Sequence, residues 1–175
     1  MNYHDLPSGP DAPSVIYVVV EIPRGSRNKV EFDPGLGAFR MDRVLYASVH
    51  YPGDYGFIPS TLAPDGDPLD VLVLVNEPTF PGCVLPARPI GILEMRDEKG
   101  QDEKVLAVPR RDPRFEETDD LQDLPGHLLE EVRYFFDIYK ELEGKETATT
   151  GWLGAERARE IIERDMVSYR EAHGG

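Results

Sequence analysis

At 175 residues, with 40% hydrophobic and 30% charged residues and 16 each of glycine and proline, the chain has the make-up of one turn-rich globular domain spanning 1–175. Its 33 Asp and Glu against 19 Lys and Arg leave a formal charge of -14, which repels nucleic-acid backbones and anionic lipid, so neither nucleic acid nor membrane is expected as a partner. The one cysteine, Cys83, excludes an internal disulfide and reads as a small buried apolar residue, and the polar stretch Met1 to Ser14 lacks the core of a signal peptide, so a cytoplasmic protein is expected.

In chain order, the near-continuous β-branched run Val15 to Ile22 predicts a central strand. Lys29 to Asp33 alternates strictly, which sets Lys29 and Glu31 on one face and Val30 and Phe32 on the other. Phe39 to Leu45 is a further strand, in which Arg43 shares the parity of Phe39, Met41 and Leu45 and so falls on an apolar face, an anomaly that asks for a partner. Val71 to Val75 and Ile90 to Arg96 read as strands, and Glu103 to Val108 returns after a turn from Asp97 to Asp102. Short strands punctuated by turns point to a barrel. Two helices follow. The first is capped by Asp123, buries Leu128, Leu129, Val132, Phe135, Phe136, Tyr139 and Leu142, and stops at Gly144; the second runs from about Ala155 to Ala172 on a stripe of Ala158, Ile161, Ile162, Met166 and Tyr169.

The chemistry-bearing stretch is Asp65-Gly66-Asp67-Pro68-Leu69-Asp70, three carboxylates in six residues around a forced bend. Unit charges about 4 Å apart repel by about 4 kcal/mol at an effective dielectric of 20, so converged carboxylates need protons or cations, and hard oxygen donors suit Mg²⁺. By themselves three such residues also fit a solvated turn. An EF-hand is excluded, because the sixth position from Asp65 is Asp70 and the twelfth is Asn76, where that loop needs Gly and Glu. Asp97 and Asp102, at the two ends of their turn, are expected to face each other at about 5 Å. Glu21 and Glu31 add carboxylates on strands, while Lys29, Arg43, Lys104, Tyr51 and Tyr55 offer cations and hydroxyls. Tyr139 fits core packing and Lys140 a solvated charge, each as well as a site role. The four histidines, His4, His50, His127 and His173, are scattered without zinc-ligand spacing, and no phosphate-binding glycine loop, dinucleotide fingerprint or serine elbow is present. Carboxylates for metals together with cations and hydroxyls for phosphate make a metal-dependent phosphohydrolase the coherent reading.

These residues resemble the soluble family I inorganic pyrophosphatases of bacterial type, from Ile16 to about Glu143. The family signature (Asp, small, Asp, Pro or Glu, aliphatic, Asp) is met by Asp65 to Asp70, flanked in order by Glu21-Ile22-Pro23, Lys29 with Glu31, Asp42-Arg43, Tyr51-Pro52, Asp54-Tyr55-Gly56, Asp97 to Lys104 and Tyr139-Lys140. The resemblance implies an α+β, mainly β fold: a five-stranded OB-like barrel with two flanking α-helices near the C-terminus. It implies hydrolysis of pyrophosphate to two phosphates, with Mg²⁺ as cofactor, through direct attack of metal-activated water and no covalent intermediate. On that pattern Asp65, Asp70, Asp97 and Asp102 match metal ligands, Asp67 the catalytic base, and Lys29, Arg43, Tyr55, Lys104, Tyr139 and Lys140 the phosphate-binding set; Glu21 and Glu31 match outer-sphere contacts. A homo-oligomer is implied too, a hexamer being the favoured form. Asp54 departs from the Asn often found there and sets an extra charge beside Tyr55. Two rivals stand against this reading: an aspartyl phosphatase, whose D-x-D pair follows an apolar strand as Asp65 does not, and an OB-type module for single-stranded nucleic acid, which the charge opposes.

Overall fold

The computed structural model describes all 175 residues, and its framework is a ring of strands. The first strands are β1 (Ile16–Ile22), β2 (Asn28–Asp33), β3 (Ala38–Val44), β4 (Asp54–Phe57) and β5 (Asp70–Val73). They are followed by β6 (Val84–Asp97), β7 (Gly100–Gln101) and β8 (Lys104–Pro109), then by helix α1 (Gly126–Ile138), β9 (Ala148–Gly154) and helix α2 (Ala155–Ala172). Pairing runs β1-β4-β5-β8-β6, and β6 turns back onto β1, so five strands close a barrel. The β5–β8 pair is parallel and the other four pairs are antiparallel. β2 and β3 form a separate two-stranded ribbon, and β9 pairs along the far edge of β6. The expected mainly-β barrel with two late helices is therefore the fold.

Both faces of the barrel wall are covered, which explains why its strands read as unbroken apolar runs rather than alternating ones. Leu72 of β5, Leu74 just beyond it, and Leu106 and Val108 of β8 join Val132, Phe135 and Phe136 of α1 in one buried cluster. Their neighbours Val71, Val73, Val105 and Ala107 project the other way and meet Ala158, Ile161 and Ile162 of α2. Each fully buried Ile or Phe contributes roughly 1.5–3 kcal/mol of apolar burial, enough to fix both helices on the wall. β1 and β4 come together only because residue 56 is glycine: a Cβ there would lie 1.9 Å from the Val19 carbonyl oxygen.

Several local expectations need correction. Asp123 does not cap α1. It ends a short 3₁₀ turn, Leu121–Asp123, where its carboxylate accepts from the backbone N–H groups of Asp119 and Asp120, and the helix starts after Pro125. The cause is Pro125 itself, which holds Leu124 extended (φ -104, ψ 152) and blocks a helix through it. At the other end α1 stops at Ile138; Leu142 lies in a second 3₁₀ turn and is 68% exposed, while Gly144 closes that turn in the left-handed region at φ 75. α2 spans the expected residues. β4 and β9 carry too many polar residues and glycines to announce themselves, and Cys83 is half-buried rather than core.

Candidate active site

At one end of the barrel a cavity of about 360 Å³ gathers side chains from β1, β2, β4, β6, β8, the end of α1 and the acidic loop. The loop contributes Asp65, Asp67 and Asp70, the β6 end contributes Asp97, and β8 with its approach contributes Asp102 and Lys104. Glu21, Lys29, Glu31, Tyr51, Tyr55, Tyr139 and Lys140 line it as well. Every expected site residue except Arg43 is thus in one cavity wall.

Lys104 is the organising cation. The parallel β5–β8 register pairs Asp70 with Lys104, so the chain topology puts acid and base side by side. The buried ammonium donates to Asp70 at 2.7 Å, to the Tyr55 hydroxyl at 2.8 Å and to Asp102 at 3.1 Å, which uses all three of its protons. Burial works against the charged form, but the surrounding acids, Asp70 foremost, outweigh it and hold Lys104 well above the ordinary lysine range. Burial is also the main reason that Tyr51, Tyr55 and Tyr139 are raised, so all three present neutral hydroxyls. Lys140 lies over the Tyr139 ring at 5.2 Å, and burial lowers its pKa.

On β1 the pairing with β4 slips between Val20 and Ile22, leaving Glu21 as the extra residue of a bulge. Such a bulge turns a side chain out of the strand alternation, and here it sends Glu21 into the cavity wall. Its carboxylate accepts the Phe32 N–H of β2 at 2.7 Å, and burial, only partly offset by that bond, pushes its pKa up to about 8. Lys29 and Glu31 keep their expected common face and form an ion pair.

Two expectations about geometry fail. Asp97 pairs in register with Gly100, and the Asp102 N–H bonds to the Met95 carbonyl, so Asp97 and Asp102 are not opposite each other. The reason is a tighter hairpin than the acidic run suggested, closing at Asp97–Gly100. Arg43 is displaced from its expected parity as well, because β2 and β3 slip between Lys29 and Val30, leaving Asp42 as an extra residue between Met41 and Arg43. The supposed apolar face is no buried face, since Met41 is 51% exposed. The Arg43 guanidinium instead binds Glu143 at 2.5 Å and its neighbour Asp42.

Asp54 resolves differently from the sequence reading. Its side chain is fully buried and turned away from Tyr55, accepting from the N–H of Arg24 at 2.8 Å and from the N–H and hydroxyl of Thr79, the N–H at 3.0 Å. The carboxylate therefore staples the Pro23–Arg24 turn to the loop at Thr79 and adds no charge to the cavity. Asp54→Ala is expected to lower the unfolding free energy by about 2–3 kcal/mol, because three donors lose a charged acceptor, while Asp54→Asn costs less than half of that. Urea denaturation of both variants checks this, and equal midpoints would contradict it. Sequence reasoning also passed over His4, which lines the cavity and whose only signal was its isolation in a polar leader.

The carboxylates suit a metal by their chemistry, all being hard oxygen donors. Burial raises Asp65 and Asp102 above the usual carboxylate range, and the Lys104 ammonium bridges Asp70 and Asp102. No three acidic or histidine side chains converge into a finished ion cage in this arrangement, so the donor set fits a metal by its chemistry and not by its present convergence.

Comparison with known proteins agrees with this geometry. The family model described as inorganic pyrophosphatase matches residues 18–170. An inorganic pyrophosphatase of Nostoc sp. is 50% identical over 170 residues, covering 97% of this chain and 100% of that one. One from Haloferax volcanii is also 50% identical, covering 97% and 96% of the two chains. Among solved structures, the inorganic pyrophosphatase from Thermus thermophilus superposes with a TM-score of 0.95 at 47% identity, covering 97% of this chain and 99% of that one. No helix here is long and apolar enough to cross a membrane. From a barrel end lined with carboxylates, lysines and tyrosines, a family match over most of the chain and a near-superposable relative, it follows that this chain belongs to the inorganic pyrophosphatase family, the enzymes that hydrolyse pyrophosphate to two phosphates.

Proposed function

We propose that this enzyme hydrolyses pyrophosphate with Mg²⁺ as its working ion, held by Asp65, Asp70, Asp97 and Asp102, and with Asp67 as the general base. The observation that carries the reading is the shared cavity, in which five aspartates face four lysines and three tyrosines across a space of about 360 Å³. Bound divalent metal would supply charge neutralisation for the phosphates and would acidify water. Asp67 is the exposed member of the acidic loop and has no cation partner, so it is free to take a proton from attacking water. Its backbone N–H is fixed by the Asp65 carboxylate at 3.0 Å, which sets the loop geometry that presents it.

Lys29, Lys104 and Lys140 supply positive charge to the phosphoryl oxygens, and the neutral hydroxyls of Tyr55 and Tyr139 donate hydrogen bonds to them. Arg43 joins this set when phosphate replaces Asp42 and Glu143 on its planar fork, which fits either kind of anion. Glu21 and Glu31 sit behind as acceptors for outer water. The family resemblance supports a cytoplasmic, homo-oligomeric enzyme with the hexamer as favoured form, the assembly being checked by sedimentation of the purified protein.

A cavity so fully given to phosphate leaves little for a group attached to it. Phosphate release in Mg²⁺ is therefore expected to be fast from pyrophosphate, at least a hundredfold slower from ATP, and almost nil from p-nitrophenyl phosphate. Rapid turnover of the aryl ester would favour an aspartyl phosphatase, and intact pyrophosphate with folded, Mg²⁺-loaded protein would overturn the assignment.

A further inference from the structure

The N-terminal segment crosses the acidic loop's approach and delivers one aromatic side chain to the cavity. Asn2 caps a short turn over Tyr3–Asp5. The His4 carbonyl accepts the Ser60 N–H at 2.7 Å, the Ser60 hydroxyl donates to the Leu6 carbonyl at 2.7 Å, and the Ser8 hydroxyl donates to the Pro59 carbonyl at 2.8 Å. From the other side the Tyr169 hydroxyl of α2 donates to Asp5 at 2.5 Å. Five residues beyond Ser60 the chain reaches Asp65, so the segment is bonded directly to the stem of the acidic loop.

Within this strap the His4 ring is clamped edge-on between Phe32 of β2 and Phe57 of β4, at centroid separations of 5.3 and 5.0 Å. Its remaining surface belongs to the cavity that holds Lys29, Glu31 and Asp67. The hydrogen bonds of His4 are all made by its backbone, and neither ring nitrogen has a partner in the protein. Burial lowers the ring below the ordinary imidazole range, against the upward pull of Asp5 and Asp67, so at neutral pH it carries one N–H donor. A clamped ring with unspent polar atoms on a phosphate-binding cavity differs from an aromatic filler, for which phenylalanine would serve.

We propose that the His4 imidazole is a further substrate-binding group, donating a hydrogen bond to a phosphoryl oxygen of pyrophosphate. The proposal rests on the reading that phosphates occupy this cavity. It adds a ligand from outside the barrel, delivered by the N-terminal strap.

His4→Phe keeps the packing on Phe32 and Phe57 while removing both nitrogens. Its KM for pyrophosphate in Mg²⁺ is expected to rise about tenfold with kcat within about twofold, the mark of lost binding rather than lost chemistry. His4→Gln, whose amide can donate from a similar reach, is expected to recover most of that KM. An unchanged KM in His4→Phe at an unchanged melting temperature overturns the proposal, as does a fall in kcat alone, which would make the ring a packing element. Lys29→Met serves as the control. If it raises KM and His4→Phe does not, only the histidine assignment fails; if neither moves KM, the phosphate reading of the cavity fails with it.

Discussion

Lys104→Met is expected to reduce kcat for pyrophosphate by about 10²–10³-fold and to destabilise the metal-free protein by about 3–5 kcal/mol. The residue is 4% exposed and binds Asp70, Asp102 and Tyr55 together. Methionine fills a similar volume but leaves the buried Asp102 and the part-buried Asp70 without their shared cation. Metal binding would change that balance if Asp70 and Asp102 hold the ion as proposed, because it would supply the missing charge and would no longer compete with an ammonium for them. The stability deficit is therefore expected to shrink in saturating Mg²⁺ while the rate loss persists, since a phosphoryl oxygen still lacks its donor. Melting curves with chelator and with Mg²⁺, beside steady-state rates, separate the two effects. A deficit of the same size in both conditions would mean that Asp70 and Asp102 take up no metal, and wild-type turnover would remove Lys104 from the phosphate set.

Asp70→Asn carries the second large effect. The substitution keeps the size and the backbone pairing of residue 70 with Phe57 and Lys104, so the fold is expected to survive. It removes one full negative charge from the group proposed to hold the ion. Turnover at saturating Mg²⁺ is expected to fall about a thousandfold, with the concentration of Mg²⁺ needed for half-maximal rate shifted upward. The Lys104 ammonium loses the charge of its 2.7 Å partner in the same change, although the amide oxygen can still accept from it, so Asp102 is left as its carboxylate partner. Measurement of rate against Mg²⁺ concentration checks the assignment: near-normal turnover with an unmoved Mg²⁺ curve would sink it.

These two residues illustrate how the site is assembled. Asp70 opens β5 and Lys104 opens β8, 34 positions apart, and they meet because the two strands run parallel and in register. A parallel pair needs a long crossover, here supplied by β6 and the hairpin with β7, so the barrel topology and the active site are consequences of the same connection.

The local features of the sequence determined a good deal. A β-branched run marked β1, short strand-like segments marked β5, β8 and the second half of β6, whose first half from Val84 was not legible, helical spacing marked α2 over its full length, and the ordered acidic, basic and tyrosine positions carried the resemblance to the pyrophosphatases. What remained depended on contacts between distant residues. The bulge that aims Glu21 and the slip that turns Arg43 toward Glu143 are one-residue offsets between strands, and such an offset reverses the face of a side chain without leaving a trace in its own strand's composition; the register that separates Asp97 from Asp102 is a two-residue offset, equally silent in the composition. Asp54 and His4 were misjudged or passed over for a related reason. A carboxylate next to Tyr55 reads as a site charge until the donors of Arg24 and Thr79 are seen to claim it, and a histidine without ligand spacing carries no signal until Phe32 and Phe57 are seen to hold it at the cavity. Chain-local periodicity fixes which residues form strands and helices because it follows from backbone geometry; where those side chains point at a shared site is set by pairing and packing between elements far apart in the chain, and only the tertiary structure decides it.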